Sequence, residues 1–272
     1  MLWLFTVGCT MGPSAETLID ELRVVAILAE PPEASPGEVV ALTTVTADPE
    51  SAGYDTLSWT CTFTGEDCLE ASGFEGGAWD GAAVFSDPDG PTDTVYAVPP
   101  QFSEFVTDEP VPLVQVWSLS CLPGLCPQID AVGSASDTDQ IREWLSSPTA
   151  FMEDLPMEGV SLGFRTLSLS TRAAEERAQN PVVSCAPDDG GTEFEAEAEV
   201  AWTCTAPGAS DVWGYATGGG WEGASRSVDE SGEATYTWFA PEEAGTVTLW
   251  MVALDGAGGV GLWTEEVAVV AL

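Results

Sequence analysis

Residues 193–205 read Glu-Phe-Glu-Ala-Glu-Ala-Glu-Val-Ala-Trp-Thr-Cys-Thr. Phe194, Ala196, Ala198, Val200, Trp202 and Cys204 fall on one side of an extended chain, and Glu193, Glu195, Glu197 and Glu199 on the other. Successive side chains of a strand point to opposite faces, so the alternation predicts one continuous strand over 194–204. Its apolar face belongs to a core and its acidic face to solvent.

Working outward, the same texture recurs. Val212-Trp-Gly-Tyr-Ala, Ala234-Thr-Tyr-Thr-Trp238-Phe, Thr246-Val-Thr-Leu-Trp250-Met-Val-Ala and Trp263-Thr-Glu-Glu-Val-Ala-Val-Val read as strands. Asp255-Gly-Ala-Gly-Gly259 is the hairpin turn between the last two. Upstream, strands are expected at 23–30, 38–47, 57–63, 94–98, 114–121 and 159–169, separated by Pro- and Gly-marked turns. About seven short strands per roughly 100 residues is the pattern of an immunoglobulin-like sandwich. The fold expected is therefore all-β, with two tandem immunoglobulin-like β-sandwiches. The first carries a short helical insert at about 136–156, where Asp137-Thr-Asp-Gln-Ile-Arg-Glu-Trp-Leu145 reads as a capped helix.

The boundaries that follow are a signal segment over 1–9, a tether over 10–21, a first sandwich over 22–170, a linker over 171–180 and a second sandwich over 181–272. The halves repeat an order of parts. An aromatic-x-x-Pro strand end occurs at Tyr96–Pro99 and Trp238–Pro241, and a Gly-rich segment with Trp at Trp79 and Trp221. The string Trp-Thr-Cys-Thr at 59–62 and 202–205 suggests a different alignment. Aligned by turns, however, Trp59 belongs to the third strand of its half and Trp202 to the second.

Two stretches carry a wider resemblance: Leu22-Arg-Val-Val-Ala-Ile-Leu-Ala-Glu-Pro-Pro-Glu-Ala-Ser-Pro-Gly-Glu38 and Trp238-Phe-Ala-Pro-Glu-Glu-Ala-Gly-Thr-Val-Thr-Leu-Trp-Met-Val-Ala-Leu-Asp-Gly256. With them, the chain resembles the tandem immunoglobulin-like exported lipoproteins of myxobacteria and their relatives. That resemblance implies a cell-envelope protein. It implies no activity, because the sandwich hosts many unrelated functions.

The chain of 272 residues carries 45 Asp and Glu against six cations, a formal charge of −39, with no His. All six cations are arginines; there is no Lys. Without His or Lys there is no Ser-His-Asp or Cys-His nucleophile, no His-ligated metal, no Schiff-base lysine and no Walker-type phosphate loop. A field of this sign excludes nucleic acid as a partner. Hydrophobic residues make up 44% of the chain, enough for packed cores, so the acidity reads as a solvated surface suited to a saline setting.

Seven cysteines leave one unpaired. Cys9 follows the apolar stretch Leu2–Val7 and Gly8, which resembles a bacterial lipobox with Thr6 where Leu is usual, and implies lipidation at Cys9. The other six, Cys61, Cys68, Cys121, Cys126, Cys185 and Cys204, are expected in disulfides. The preferred pairs are Cys61–Cys121, Cys68–Cys126 and Cys185–Cys204; the alternative is two local loops, Cys61–Cys68 and Cys121–Cys126. Their spacings are too loose for a four-thiolate zinc site.

Two candidate sites remain. Asp87, Asp89 and Asp93 surround Gly90 with calcium-loop spacing, but Val98 stands where a bidentate Glu would be needed. Trp79 and Trp221, in Gly-rich segments, could stack on sugar, although Trp also fills sandwich cores. The function expected is a non-catalytic cell-envelope lipoprotein acting as a structural or protein-interaction module; the alternative is a carbohydrate- or calcium-dependent adhesion module. Its expected partners are the membrane, through the N-terminal lipid, and an envelope protein or glycan. No cofactor is expected beyond Ca2+ at the 87–93 loop. The expected location is the outer membrane or cell surface, or the secreted fraction.

Packing a charge of −39 into a folded volume opposes folding at low salt. Raising NaCl from 0.1 M to 1 M shortens the screening length from about 10 Å to about 3 Å, so the melting temperature should rise across that range. A melting temperature flat in NaCl would defeat this reading of the charge.

Overall fold

The computed structural model describes residues 17–62, 84–85, 92–125 and 158–271. In the first half the strands are β1 (Arg23–Glu30), β2 (Glu33–Ala34), β3 (Val39–Ala47), β4 (Asp55–Thr62), β5 (Val84–Phe85), β6 (Thr92–Ala97), β7 (Val111–Cys121) and β8 (Val160–Leu169). In the second they are β9 (Ser184–Pro187), β10 (Glu193–Glu195), β11 (Glu199–Thr205), β12 (Asp211–Ala216), β13 (Gly220–Trp221), β14 (Ser225–Ser227), β15 (Glu233–Phe239), β16 (Gly245–Leu254) and β17 (Val260–Val270). No α-helix occurs among the described residues. The helical insert expected at 136–156 lies outside them.

Each half forms two sheets. The first pairs β1-β3-β6 and faces it with β2-β8-β7-β4-β5; the second pairs β13-β15-β11-β9 and faces it with β10-β17-β16-β12-β14. These are two immunoglobulin-like sandwiches with matching wiring, except that β13 adds a fourth strand to the smaller sheet of the second among the described residues. In both, a short early strand leaves its neighbours to run parallel to the last strand of the other sheet, β2 on β8 and β10 on β17.

That crossing corrects the reading of 194–204 as one strand. The chain breaks at Glu197, whose φ of 60° is left-handed. β10 lies in one sheet and β11 in the other. The alternation survives the break because both strands turn the same parity toward the shared core: Phe194, Val200, Trp202 and Cys204 are all buried in one cluster. The first sandwich makes the same turn with Gly37, at a φ of 88°, a conformation that suits glycine. The bonds around the two turns match as well. The Gly37 amide donates to the Val98 carbonyl (2.9 Å), and the Glu197 amide to the Pro241 carbonyl (3.3 Å).

The repeat holds in register. Val40 stands opposite Tyr96 and Val200 opposite Trp238, so the two aromatic-x-x-Pro ends occupy equivalent places. Trp59 lies on β4 and Trp202 on β11, which are different strands of the repeat, as the turns imply.

The cores are filled differently. The second is aromatic: Trp202 packs edge-on against Trp221 (6.2 Å between ring centroids) and Trp263 (5.5 Å), and Trp221 against Tyr236 (5.6 Å). The first is aliphatic at one end, around Val40, Leu42, Val114, Val116, Leu167 and Leu169. At its other end hydroxyls pair across the sandwich, Thr44 of β3 with Ser118 of β7 (2.9 Å) and Thr46 with Ser120 (2.8 Å), and within the sheet between neighbours β4 and β7, Ser58 with Ser118 (3.0 Å) and Thr56 with Ser120 (3.1 Å). Mutual hydrogen bonding offsets the desolvation that buried hydroxyls would otherwise suffer. Along β7, Trp117 takes the opposite face and stacks on Phe164 of β8 (4.7 Å).

Cys185 and Cys204 stand opposite each other on β9 and β11 and form the expected disulfide, with Cα atoms 4.0 Å apart. Cys121 is also disulfide-bonded. The preferred Cys61–Cys121 pair is overturned by register. Cys61 faces Gln115 and Cys121 faces Asp55, which sets the two about six residues apart along neighbouring strands. At roughly 3.3 Å per residue that is about 20 Å, against the roughly 7 Å limit of a disulfide. Cys68 and Cys126 lie outside the described residues.

The Cys185–Cys204 bridge spans 19 residues. Loop-closure entropy for that length is about 3 kcal/mol. Replacing both cysteines with alanine should lower unfolding free energy by about that much in a urea titration. An unchanged midpoint would show that the ladder alone holds β9 in place.

Candidate functional site

The residues singled out in the sequence do not converge. Cys9, Asp87, Asp89 and Trp79 lie outside the described residues. Asp93 is on β6 opposite Thr43. Trp221 is 6% exposed and enclosed by Trp202, Tyr236 and Trp238, so it is a core residue and not a platform for sugar. The Gly-rich run around it gives the indole room to lie inward: a Cβ on Gly214 would meet the Trp221 ring at 3.2 Å. Among the described residues no three His, Cys, Asp or Glu side chains are grouped to hold a metal. No helix among them is long and apolar enough to cross a membrane.

What the structure assembles instead is a seam between the sandwiches. Between Arg23 and Glu30 at its ends, β1 is apolar from Val24 to Ala29 because both its faces are covered. Ile27 and Ala29 enter its own core, while Val25, Ala26 and Leu28 look outward. β16 divides the same way. Leu249, Met251 and Ala253 enter the second core, and Trp250, Val252 and Leu254 look outward. The outward sets meet in a third apolar cluster with Val45 and Ala47 of β3 and Tyr215 of β12. The Arg23 guanidinium lies 5.7 Å from the Tyr215 ring, adding a cation–π contact.

Polar groups lock the rim. β1 ends its sheet, and its carbonyls at Ile27 and Ala29 accept hydrogen bonds from Arg165 Nη1 (2.9 Å) and Asn180 Nδ2 (2.8 Å). Arg165 Nη2 also donates to the Gly258 carbonyl in the β16–β17 turn, and Asn180 Oδ1 accepts the Val260 amide (3.0 Å). One guanidinium and one amide thus each tie both sandwiches. Asp255 shapes the turn that meets Arg165, accepting from the amides of Ala257 and Gly259, both at 2.7 Å. Burial pushes Arg165 down to about 10, a fall limited by the Asp255 charge, so it is cationic at neutral pH.

The segment read as a linker is bound along the first sandwich. It holds a 3-10 turn, Ala174–Glu176. Glu33, 1% exposed, accepts the Ser170 hydroxyl and the Ala178 amide (2.8 Å), with Arg172 Nη1 3.7 Å away. Arg177 Nη1 bonds Glu38 Oε2 at 2.5 Å. Burial acts to raise Glu38, but the Arg177 hydrogen bond, the Ser35 amide and the Arg177 charge outweigh it and hold the carboxyl below its usual range.

Arg165 could have been found from parity, since it shares the inward face of β8 with Leu167 and Leu169. Asn180 carried no such signal. Its role depends on two strands brought together from 150 and 80 residues away.

No family model matches the sequence, and no curated protein matches it. Solved structures do resemble it. The D0-D1 domain of intimin is 11% identical, with 90% of this chain and 98% of that chain covered and a TM-score of 0.28. The Yersinia pseudotuberculosis adhesin InvE is 10% identical over 90% of this chain and 58% of its own, with a TM-score of 0.28. Escherichia coli alpha-2-macroglobulin activated by porcine elastase is 10% identical over 89% of this chain and 22% of its own, again with a TM-score of 0.28.

Gly261 marks where the chain just past the linker crosses β17: an added Cβ would stand 2.1 Å from the Pro181 carbonyl oxygen and 2.8 Å from Val183 Cγ2. Gly261→Ala should cost about 1–3 kcal/mol in thermal or chemical unfolding, as overpacking does. Gly245→Ala, on the same sheet with open space around it, should stay within about 0.5 kcal/mol of wild type. Equal effects of the two would remove the close approach as an explanation.

Proposed function

We propose that this chain is a non-catalytic cell-envelope lipoprotein whose joined sandwiches serve as a structural or protein-interaction module. The observation that carries the reading is the seam. Of the six arginines, Arg23 and Arg165 sit on it, and Arg172 and Arg177 of the linker pair with Glu33 and Glu38 of the first sandwich beside it. A chain this acidic commits two of its six cations to the contact between the sandwiches and two more to fastening the linker beside it. Such an arrangement suits presentation of a fixed surface rather than turnover of a substrate. The lipobox-like junction at Gly8-Cys9 supports anchoring by an N-terminal lipid, at the outer membrane or cell surface. The odd cysteine count supports the same assignment. The alternative sugar-binding reading loses Trp221 to the core.

The test is made in the native host. The wild-type chain should fractionate with the envelope, enter the detergent phase on Triton X-114 partition and take up labelled palmitate. Cys9→Ala should abolish the label and shift the protein to the aqueous phase. An unlabelled, aqueous wild type would sink the proposal.

A further inference from the structure

We infer that Thr17–Ile19 is an interdomain key: a strand fragment that precedes the first sandwich in the chain yet completes the second. Leu18 bridges Ala216 in parallel. The Ile19 amide donates to the Ala216 carbonyl (2.8 Å), and the Ala216 amide donates to the Thr17 carbonyl (2.9 Å). The place is open because β14 pairs β12 only over Asp211–Trp213. Beyond it the edge of β12 carries backbone groups that require partners.

The side chain does the second part of the work. Ile19 is 1% exposed and belongs to the apolar cluster of the seam, with Val25 and Ala26 of the first sandwich and Tyr215, Trp250 and Val252 of the second. Four residues later Arg23 begins β1 and lies over Tyr215. The entry to β1 is therefore pinned to the second sandwich from two directions, and separating the sandwiches requires withdrawing Ile19.

A consequence rests on the lipidation reading of Cys9. Eight residue steps separate Cys9 from Thr17, a reach of at most roughly 30 Å. The acyl anchor is then delivered at the seam, and both sandwiches are held near the bilayer, rather than the second standing off beyond the first.

The first arm uses the full-length Cys9→Ala chain, which needs no lipid. Ile19→Ala should raise hydrogen exchange at the Ala216 amide by at least about tenfold and broaden the distance distribution between spin labels placed one on each sandwich. Leu18→Ala, whose side chain is 41% exposed, should leave both unchanged. Exchange at other β12 amides paired to β16 reports whether the second sandwich stays folded, and Ile19→Val is the conservative rescue. Unchanged exchange and distances in Ile19→Ala would overturn the key. The second arm places the lipidated chain in phosphatidylcholine vesicles bearing a headgroup acceptor dye, with a donor at Glu230. Ile19→Ala should reduce energy transfer; unchanged transfer would overturn anchoring at the seam. A chain that never enters the vesicles would refute the Cys9 reading while the first arm decides the key.

Discussion

The structure depends on burying both faces of two strands. β1 and β16 each send alternate residues into their own sandwich and the remainder into the seam. A sandwich with an apolar outer face cannot stand alone in water without exposing a patch that would drive association. Here each supplies the cover for the other. The rest follows from that contact. The end of β1 is closed by Arg165 and Asn180, the β16–β17 turn is aimed at Arg165, and the linker is bound rather than slack.

Electrostatics make this contact demanding. Two acidic bodies brought face to face repel, and the chain has six cations to oppose 45 acids. The apolar cluster avoids the problem by keeping charge off the contact itself. Arginines appear where a carbonyl, ring or carboxylate faces the rim. Arg165 is the extreme case, buried with two backbone carbonyls as acceptors. Charge-assisted bonds to carbonyls offset part of its desolvation, and its fork geometry lets one side chain reach both sandwiches.

The two sandwiches also show how little the wiring dictates the filling. Their strand orders agree, yet one core is a nest of indoles and the other is half hydroxyl. In the first, the alternation of Leu57-Ser-Trp59-Thr and Trp117-Ser-Leu-Ser is plain in the sequence, but its sense is not. Ser118 and Ser120 are inward residues, because each meets a threonine hydroxyl from β3 of the facing sheet, and Ser58 joins them through Ser118 beside it. Pairing of that kind is decided across the sandwich and leaves no trace in a single strand.

By itself the sequence determined the all-β class, the two-fold repeat, the equivalence of Tyr96 and Trp238, the Asp255–Gly259 turn and the Cys185–Cys204 bridge. These are written in period-two alternation, turn residues and spacing, all of which act over a few residues. Tertiary structure alone decided that 193–205 divides between two sheets, since parity toward a shared core is the same on both sides of the break. It decided that Trp221 is interior, because a Gly-rich run reads alike whether it presents an indole or makes room for it. It decided that Cys61 and Cys121 stand far apart, because register between strands depends on every residue of the ladder. And it decided the seam, whose parts lie at 19, 25, 165, 180, 215 and 250 in the chain, because burial on a second face is a property of what arrives there.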